Sequence, residues 1–222
     1  MGNKIYFLAD AHLGSKSHAN SVETERKLCR WLDEVKCDAA VIFLMGDIFD
    51  YWYEYRYVVP KGFTRVLGKL AELTDTGIEI HFFAGNHDLW LGDYLSGECG
   101  MILHFEPLIT ELYGKKFFLA HGDGLGDNSR SFLFLRKVFH SKFLQRCLSA
   151  VNPRWTIPLA HAWSNSSRGN RGVVPYMGEE REHLILFAKE KLKEMPDINY
   201  FIFGHRHILL DLPIAAESHV II

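Results

Sequence analysis

The chain has 222 residues, of which 48% are hydrophobic and 23% charged, and its net charge is −2. This is the composition of an ordinary globular protein, long enough for one large domain or two small ones. The sequence contains no internal repeat, no pairing of its four cysteines in C-x-x-C spacing, and no apolar run near the roughly 18 residues of a membrane-spanning helix. Solenoids, zinc knuckles, disulfide frameworks and membrane-spanning helices are therefore excluded.

The first segment, "KIYFLAD", predicts a strand that reaches an aspartate after six residues. That pattern is too short for a secretory signal peptide, so we expect a cytoplasmic protein. Two more strand patterns follow, "AAVIFLM" and "IEIHFFA", each preceded by a helical one, "SVETERKLCRWLDEV" and "FTRVLGKLAELTDTG". Apolar residues recur in these helices at three- and four-residue steps. Strands that alternate with helices predict a mainly parallel, buried sheet.

The second half has a different spacing of elements. "ILHFEPLITELYGKKFFLAH" predicts hairpin strands around Tyr113 and Gly114. "EREHLILFAKEKLKEM" predicts a helix before the strand "NYFIF", and "HILLDLPIAAESHVII" predicts two final strands. The predicted fold class is α/β, a layered sandwich with two mixed sheets in a single domain, 1–222.

The segment from about 127 to 178 interrupts this alternation, and we interpret it as a helical insertion. It carries eight lysines and arginines against one acid, Asp127. Its pattern "SRSFLFLRKVFHSKFLQRCLSAV" predicts one long helix, too apolar for a surface helix and too cationic for a buried one. The charge is consistent with an anionic partner (phosphate, nucleic acid or lipid headgroups) and equally with a solvated basic face.

Polar clusters follow five of the predicted strands directly. The residues are Asp10 and His12, Asp47 and Asp50, Asn86 to Asp88, His121 and Asp123, and His205 and His207. In open α/β sheets the carboxyl ends of the strands form the ligand-binding edge. We therefore expect these clusters to meet in one site.

The donor types predict divalent metal ions. Histidine, aspartate and asparagine without cysteine suit manganese, iron or zinc. The clusters offer more candidate ligands than one tetrahedral ion can bind. Seven ligands are the right number for two ions that share a carboxylate. Glycines precede Asp47, Asn86 and His205, where they let the backbone turn sharply without a side chain in the way.

The motifs D-A-H, G-D-x-x-D, G-N-H-D, H-G-D and G-H-x-H together resemble those of the calcineurin-like metallophosphoesterases, from Asp10 to His207. The resemblance implies a four-layer α-β-β-α sandwich with two metal ions. By this resemblance the first ion is bound by Asp10, His12, Asp47 and His207, and the second by Asp47, Asn86, His121 and His205.

The same resemblance implies hydrolysis of a phosphoester by a metal-activated water. His87 would donate to the phosphoryl oxygen or protonate the leaving group, and Asp47 would bridge the ions. We interpret Asp50 and Asp88 as residues that orient imidazoles, with a purely structural role as the alternative for Asp88.

Three segments, "GDIFDYWYEY", "HGDGLGD" and "NSSR", are similar within that family to the pyrophosphohydrolases of lipid A biosynthesis. This implies cleavage of UDP-2,3-diacylglucosamine to 2,3-diacylglucosamine 1-phosphate (lipid X) and UMP, with manganese, at the cytoplasmic face of the inner membrane. The insertion would be a cap that holds the acyl chains, and no nucleic-acid partner is expected. The substrate-binding residues implied are Asn86, His87, Asp127, Asn165, Arg168 and His205.

Two alternatives stay open at this stage. A nuclease or nucleotide phosphodiesterase would use the same metals and basic segment, but we would expect it to expose aromatic side chains for base stacking. A non-enzymatic scaffold of the same fold would usually lack some ligands, whereas every expected ligand is present. Turnover of a UDP-lipid compared with a panel of nucleotides separates these functions.

Overall fold

The computed structural model describes residues 2–15, 20–126, 137–139, 141–160, 162 and 175–222. Two sheets face each other across a layer of aromatic and aliphatic side chains that includes Phe43, Met45 and Ile202. Two further apolar clusters lie on their outer faces, each beneath helices. The order of layers is therefore helix, sheet, sheet, helix, as the sequence motifs predict.

The first sheet has four strands in the order β1-β2-β3-β4. They are β1 (Lys4–Leu8), β2 (Ala39–Leu44), β3 (Glu79–Phe83) and β4 (Ile102–His104). All three pairings are parallel, so the prediction of two mixed sheets is wrong for this one. The difference lies in β4, which pairs with β3 instead of joining the hairpin that follows it.

The second sheet is mixed and has the order β5-β6-β7-β9-β8. Its strands are β5 (Leu108–Leu112), β6 (Lys115–Leu119), β7 (Tyr200–Ile202), β8 (Asp211–Ala215) and β9 (Ser218–Ile221). The predicted hairpin around Tyr113 and Gly114 is confirmed as β5-β6. Both turn residues have positive φ, 51° and 73°, as expected for a tight turn that matches the twist of the strands.

Helices cover both sheets. The helices on the sheets are α1 (Ser21–Val35), α2 (Thr64–Asp75), α3 (Tyr94–Cys99) and α5 (His183–Glu194), whereas α4 (Lys142–Ser149) belongs to the insertion and buries none of its residues. The side chain of Asn20 accepts a hydrogen bond from the amide of Glu23 and so caps α1, while Leu28 and Leu32 are buried against the first sheet. On the other face, α5 buries Leu184 and Ala188 against the second sheet.

The insertion contains several shorter helical pieces, so the prediction of one long helix over "SRSFLFLRKVFHSKFLQRCLSAV" is wrong. Residues 137–139 are helical, Ser141 is extended and caps α4 through its hydroxyl, and residues 153–160 form another helical stretch. Ser141 favours a helix start because its side chain satisfies the free amide of Leu144. Within the described ranges, no helix is long and apolar enough to cross a membrane.

Candidate metal centre

The five polar clusters of the sequence meet at the carboxyl edges of the two sheets. Backbone hydrogen bonds join their loops to one another. The amide of Asp10 donates to the Gly46 carbonyl at 3.1 Å, that of His12 donates to the Asp47 carbonyl at 2.9 Å, and that of Gly204 donates to the His121 carbonyl at 2.9 Å. The amide of His205 also donates to the Asp10 carboxylate at 2.9 Å, which joins a loop of the second sheet to a loop of the first.

Asp10, His12 and His207 form a first trio of donor atoms, all within 4.8 Å of one another. The Nε2 atoms of His12 and His207 are 3.1 Å apart. The Asp10 Oδ1 atom lies 3.9 Å from the His12 Nε2 atom and 3.7 Å from the His207 Nε2 atom. Three donor atoms at these separations converge on one point, as the ligands of a single ion do.

Asp47, His121 and His205 form a second trio with the same spacing. The Asp47 Oδ2 atom lies 3.4 Å from the His121 Nε2 atom and 3.9 Å from the His12 Nε2 atom of the first trio. One carboxylate oxygen therefore faces both trios. This is the position that a carboxylate shared by two ions requires.

The two ring nitrogens of His121 are arranged in a way that fits a bound cation. Its Nδ1 atom lies 2.9 Å from the carbonyl oxygen of Met45, which makes Nδ1 the donor and leaves the lone pair on Nε2. That Nε2 atom is buried and has no hydrogen-bond partner among the described residues. Buried polar atoms are normally satisfied. A divalent cation is the partner that suits this nitrogen beside the Asp47 carboxylate.

The pKa values of the centre show how strongly its charges interact. Burial alone raises the pKa of Asp47, but the imidazoles of His121, His87 and His12 outweigh it and hold that pKa well below its ordinary value. Burial lowers the pKa of His121, whereas Asp47 raises it to about 10. Burial, helped by the charge of His121, lowers the pKa of His205 to about 3. A metal-binding imidazole is deprotonated, so a bound cation would supply beside Asp47 the positive charge that this carboxylate favours on His121.

The backbone of the centre is strained. Asp10, His12, Asp47, His205 and His207 all have positive φ, between 42° and 69°. Only two other non-glycine residues of the described chain, Phe63 and Tyr113, share this feature. Such conformations cost free energy and cluster at functional sites. Five of the seven predicted ligands are thus held in conformations that their own backbones disfavour.

The three glycines of the ligand loops have the role that the sequence predicts. A Cβ atom on Gly46 would lie 2.6 Å from the His121 Nδ1 atom, and one on Gly204 would lie 2.8 Å from the Ala9 Cβ atom. A Cβ atom on Gly85 would collide with the carboxylate of Asp47. Any side chain at these positions would displace a predicted ligand or its loop.

Residues 86–88 of the G-N-H-D motif differ in their placement. Asn86 is exposed in the loop after β3, and its role as a ligand stays a prediction. His87 is anchored through its amide to the Asp47 Oδ1 atom at 2.9 Å, and its Nδ1 atom lies 3.0 Å from the Asp50 carbonyl oxygen. Its Nε2 atom, 3.9 Å from the Asp47 Oδ2 atom, faces the metal ligands.

The two auxiliary carboxylates have separate roles. Asp50 lies 3.9 Å from the His12 Nδ1 atom and 3.7 Å from the His87 Nδ1 atom, consistent with the predicted orientation of imidazoles. Asp88 is fully buried and accepts backbone N–H groups from Gly85, Asp47, Ile48 and Phe49. Its carboxylate therefore positions the Asp47 loop through the backbone, which favours the structural alternative over the predicted contact with an imidazole.

The insertion docks beside this edge. The Tyr53 hydroxyl donates to the carbonyl oxygen of Gln145 at 2.7 Å, and the Trp90 Nε1 atom donates to that of Phe139 at 2.9 Å. Tyr53 and Trp90 follow β2 and β3, so these contacts hold α4 close to the ligand loops. The predicted substrate residues Asp127, Asn165 and Arg168 lie outside the described residues.

An ion pair of Arg206 with Glu182 was missed by the sequence analysis. Arg206 is visible in "GHRH", but its partner is 24 positions away, and no local pattern connects them. Tyr53 and Trp90 were also not assigned as contacts of the insertion, although the aromatic run "YWYEY" marks the segment.

The chain is similar to known phosphoesterases and hydrolases. The sequence model of the calcineurin-like phosphoesterases matches residues 3–209. The chain is 48% identical over 235 residues to the UDP-2,3-diacylglucosamine hydrolase of Porphyromonas gingivalis, with 100% of this chain and 90% of the relative covered. It is 34% identical over 202 residues to the enzyme of the same name from Edwardsiella ictaluri, with 90% and 74% covered. A predicted phosphoesterase of known structure from Streptococcus pneumoniae aligns with a TM-score of 0.41 and 12% identity over 98% of this chain and 69% of the other. On the match to residues 3–209, the chain belongs to the calcineurin-like phosphoesterase family.

Proposed function

We propose that the protein hydrolyses the pyrophosphate bond of UDP-2,3-diacylglucosamine to 2,3-diacylglucosamine 1-phosphate and UMP, with two divalent ions, preferably manganese. The observation that carries this proposal is the Asp47 Oδ2 atom, which faces two His/Asp trios at 3.4 and 3.9 Å. It supports two-metal chemistry. The substrate is inferred from the 48% identity to the Porphyromonas gingivalis hydrolase.

The metal ions, when bound, supply a water of lowered pKa and stabilise negative charge on the phosphoryl oxygens. The residues of the chain determine where this happens. Asp47 would neutralise part of the charge of both ions, since its Oδ2 atom faces both trios. Asn86 and His205, the ligands of the second ion by the family resemblance, are proposed to contact the phosphate as well as the ion.

His87 is proposed to act on the substrate and not on the ions. Its Nδ1–H donates to the Asp50 carbonyl oxygen at 3.0 Å, which holds the ring with Nε2 toward the ligands. When Nε2 carries a proton, it can donate that proton to a phosphoryl oxygen or to the leaving group. Since Nε2 also lies 3.9 Å from Asp47, metal analysis of a His87 variant decides between this role and that of a ligand.

The insertion, about 127–178, is proposed to be the cap that binds the acyl chains and to rest on the cytoplasmic face of the inner membrane. Its described part exposes large apolar side chains, with Phe143 at 73%, Trp155 at 69% and Leu159 at 69% of full exposure. Lys142, Arg146 and Arg154 lie among them. Exposed apolar groups interleaved with cations suit a surface that meets acyl chains and phosphates. Asp127, Asn165 and Arg168 are proposed as contacts of the glucosamine end.

The test is turnover of UDP-2,3-diacylglucosamine in manganese, with release of UMP measured against a panel of nucleotides and oligonucleotides. We expect the UDP-lipid to be hydrolysed with the higher kcat/KM. The exposed Trp155, which stacks with Arg154 at 5.8 Å, gives the nuclease alternative a specific observation in its favour. Faster hydrolysis of an oligonucleotide would therefore identify the substrate as a nucleic acid and not as a lipid.

A further inference from the structure

Arg206 lies between two predicted ligands of different ions, His205 and His207, and its side chain points away from them toward the start of α5. There it forms a two-pronged ion pair with Glu182. The Nε atom donates to Glu182 Oε1 at 2.7 Å, and an Nη atom donates to Oε2 at 2.9 Å. The carboxylate is fully buried and the guanidinium side chain is only 12% exposed.

The carboxylate of Glu182 contacts Arg206 and, through the Oε1 atom at 3.4 Å, the Nδ1 atom of His183 at the start of α5. Glu182 is the residue that caps the N-terminus of α5, where Ser, Thr, Asp or Asn is usual because a short side chain can accept the free amides. Glu182 makes no such capping bond. Its carboxylate is directed to Arg206 instead. Burial of a charged pair is costly unless the geometry is good, and breaking such a pair costs more than replacing both partners.

The loop that this pair holds is strained on both sides of Arg206. His205 has a φ of 69° and His207 a φ of 51°, and the Arg206 amide bonds back to the Gly204 carbonyl at 2.8 Å. Residues in such conformations persist only where their surroundings impose them. The two hydrogen bonds from the Arg206 guanidinium to the buried Glu182 carboxylate restrain the residue that lies between His205 and His207.

Charge gives the pair a second effect. A guanidinium one residue away from ligands of both ions opposes the binding of cations. Glu182 neutralises it at hydrogen-bond distance, within a region of low dielectric.

We propose that Glu182 is a positioning residue for the metal centre, which acts through Arg206 to hold the loop of His205 and His207 and to cancel the charge of the guanidinium. The inference rests on the metal centre of the proposed function and is independent of its substrate. Removal of partners that orient metal ligands typically lowers metal affinity by about 10–100-fold. Here both ions should be affected, because His205 and His207 belong to different trios.

The experiment is titration of the metal-free protein with Mn²⁺ by calorimetry, with the melting temperature of each metal-free variant recorded alongside. We expect Glu182→Gln to lower the affinity for both ions by about 10–100-fold. Arg206→Lys keeps the charge but cannot form the two parallel hydrogen bonds to Glu182. It should lower the affinity for both ions less and keep a melting temperature near that of the wild type. In Glu182→Gln with Arg206→Gln, part of the affinity should return, because no uncancelled cation remains.

Glu25 provides the matched control. It is also a buried glutamate paired with an arginine, at 3.4 Å from Arg65, and it accepts the amides of Arg65 and Val66 in the first turn of α2. None of these residues belongs to the metal trios. Glu25→Gln should therefore lower the melting temperature without changing either affinity for Mn²⁺.

Unchanged Mn²⁺ affinities in Arg206→Lys and Glu182→Gln would overturn the inference. So would an equal loss of affinity in Glu25→Gln, since the effect would then follow stability alone. If Glu182→Gln does not fold, the result for Arg206→Lys decides. A wild-type chain that binds no Mn²⁺ would refute the proposed function itself, whereas two ions bound equally by wild type and variants would refute only the role of Glu182.

Discussion

Substitution of Gly46 by alanine tests how closely the backbone approaches the metal ligands. Gly46 has a φ of 94°, and a Cβ atom there would lie 2.6 Å from Nδ1 and 2.8 Å from Cγ of His121. The three atoms nearest to this Cβ position all belong to the His121 side chain, so the ring has to move. Its hydrogen bond to the Met45 carbonyl at 2.9 Å is then lost.

Two contributions to the change in unfolding free energy can be separated. A side chain in the left-handed region costs about 1–3 kcal/mol. Loss of the hydrogen bond costs a further 0.5–1.5 kcal/mol, roughly, before any cost of the collision itself. Gly77 isolates the first contribution, because its φ is 89° and nothing lies within 4 Å of the corresponding Cβ position.

The assay is urea denaturation of the metal-free Gly46→Ala and Gly77→Ala variants, followed by analysis of bound manganese. We expect Gly46→Ala to lose about 1 kcal/mol or more beyond Gly77→Ala, as the hydrogen-bond and collision contributions require. Only Gly46→Ala should also lose manganese, because His121 is displaced. Equal stability and equal metal content in the two variants would refute the reasoning that glycine is needed here for space and not only for its backbone conformation.

Three further substitutions test the proposed roles. Asp47→Ala should abolish turnover and remove more than one equivalent of metal, because one carboxylate oxygen faces both trios; two tightly bound ions by metal analysis would contradict this. His87→Ala should keep both ions and lower kcat by roughly 10²–10⁴-fold, the usual range for general acid–base catalysis, whereas loss of metal would make it a ligand. Phe143→Asp, at a side chain 73% exposed on α4, should raise KM for the diacylated substrate and leave hydrolysis of bis-p-nitrophenyl phosphate unchanged. A parallel fall in both activities would assign Phe143 to the stability of the fold.

Local pattern was sufficient to predict most strands and helices and to select the candidate ligands of the metal centre. Apolar runs of five to seven residues and helical periodicity are properties of neighbouring residues, and the polar clusters follow these runs directly. Since parallel strands end at one edge, the prediction that Asp10 and Asp47 meet needed no knowledge of strand order. His121 follows β6 of the second sheet, and its meeting with them depends on how the two sheets pack. The role of the glycines before Asp47, Asn86 and His205 could also be predicted, because each acts on the residue next to it.

Long-range contacts decided the rest. The three residues of β4 carry no mark that distinguishes a parallel partner of β3 from part of the next hairpin, since pairing depends on which edge is free. The role of Asp88 became visible only when four amides were found around its carboxylate, and no residue pattern reports such a cage. The pair of Glu182 and Arg206 spans the junction of α5 with the loop after β7, so it exists only once both are packed. Sequence determined which groups the chain offers at the metal edge, because that information is local; tertiary structure determined what holds them there, because those contacts join residues distant along the chain.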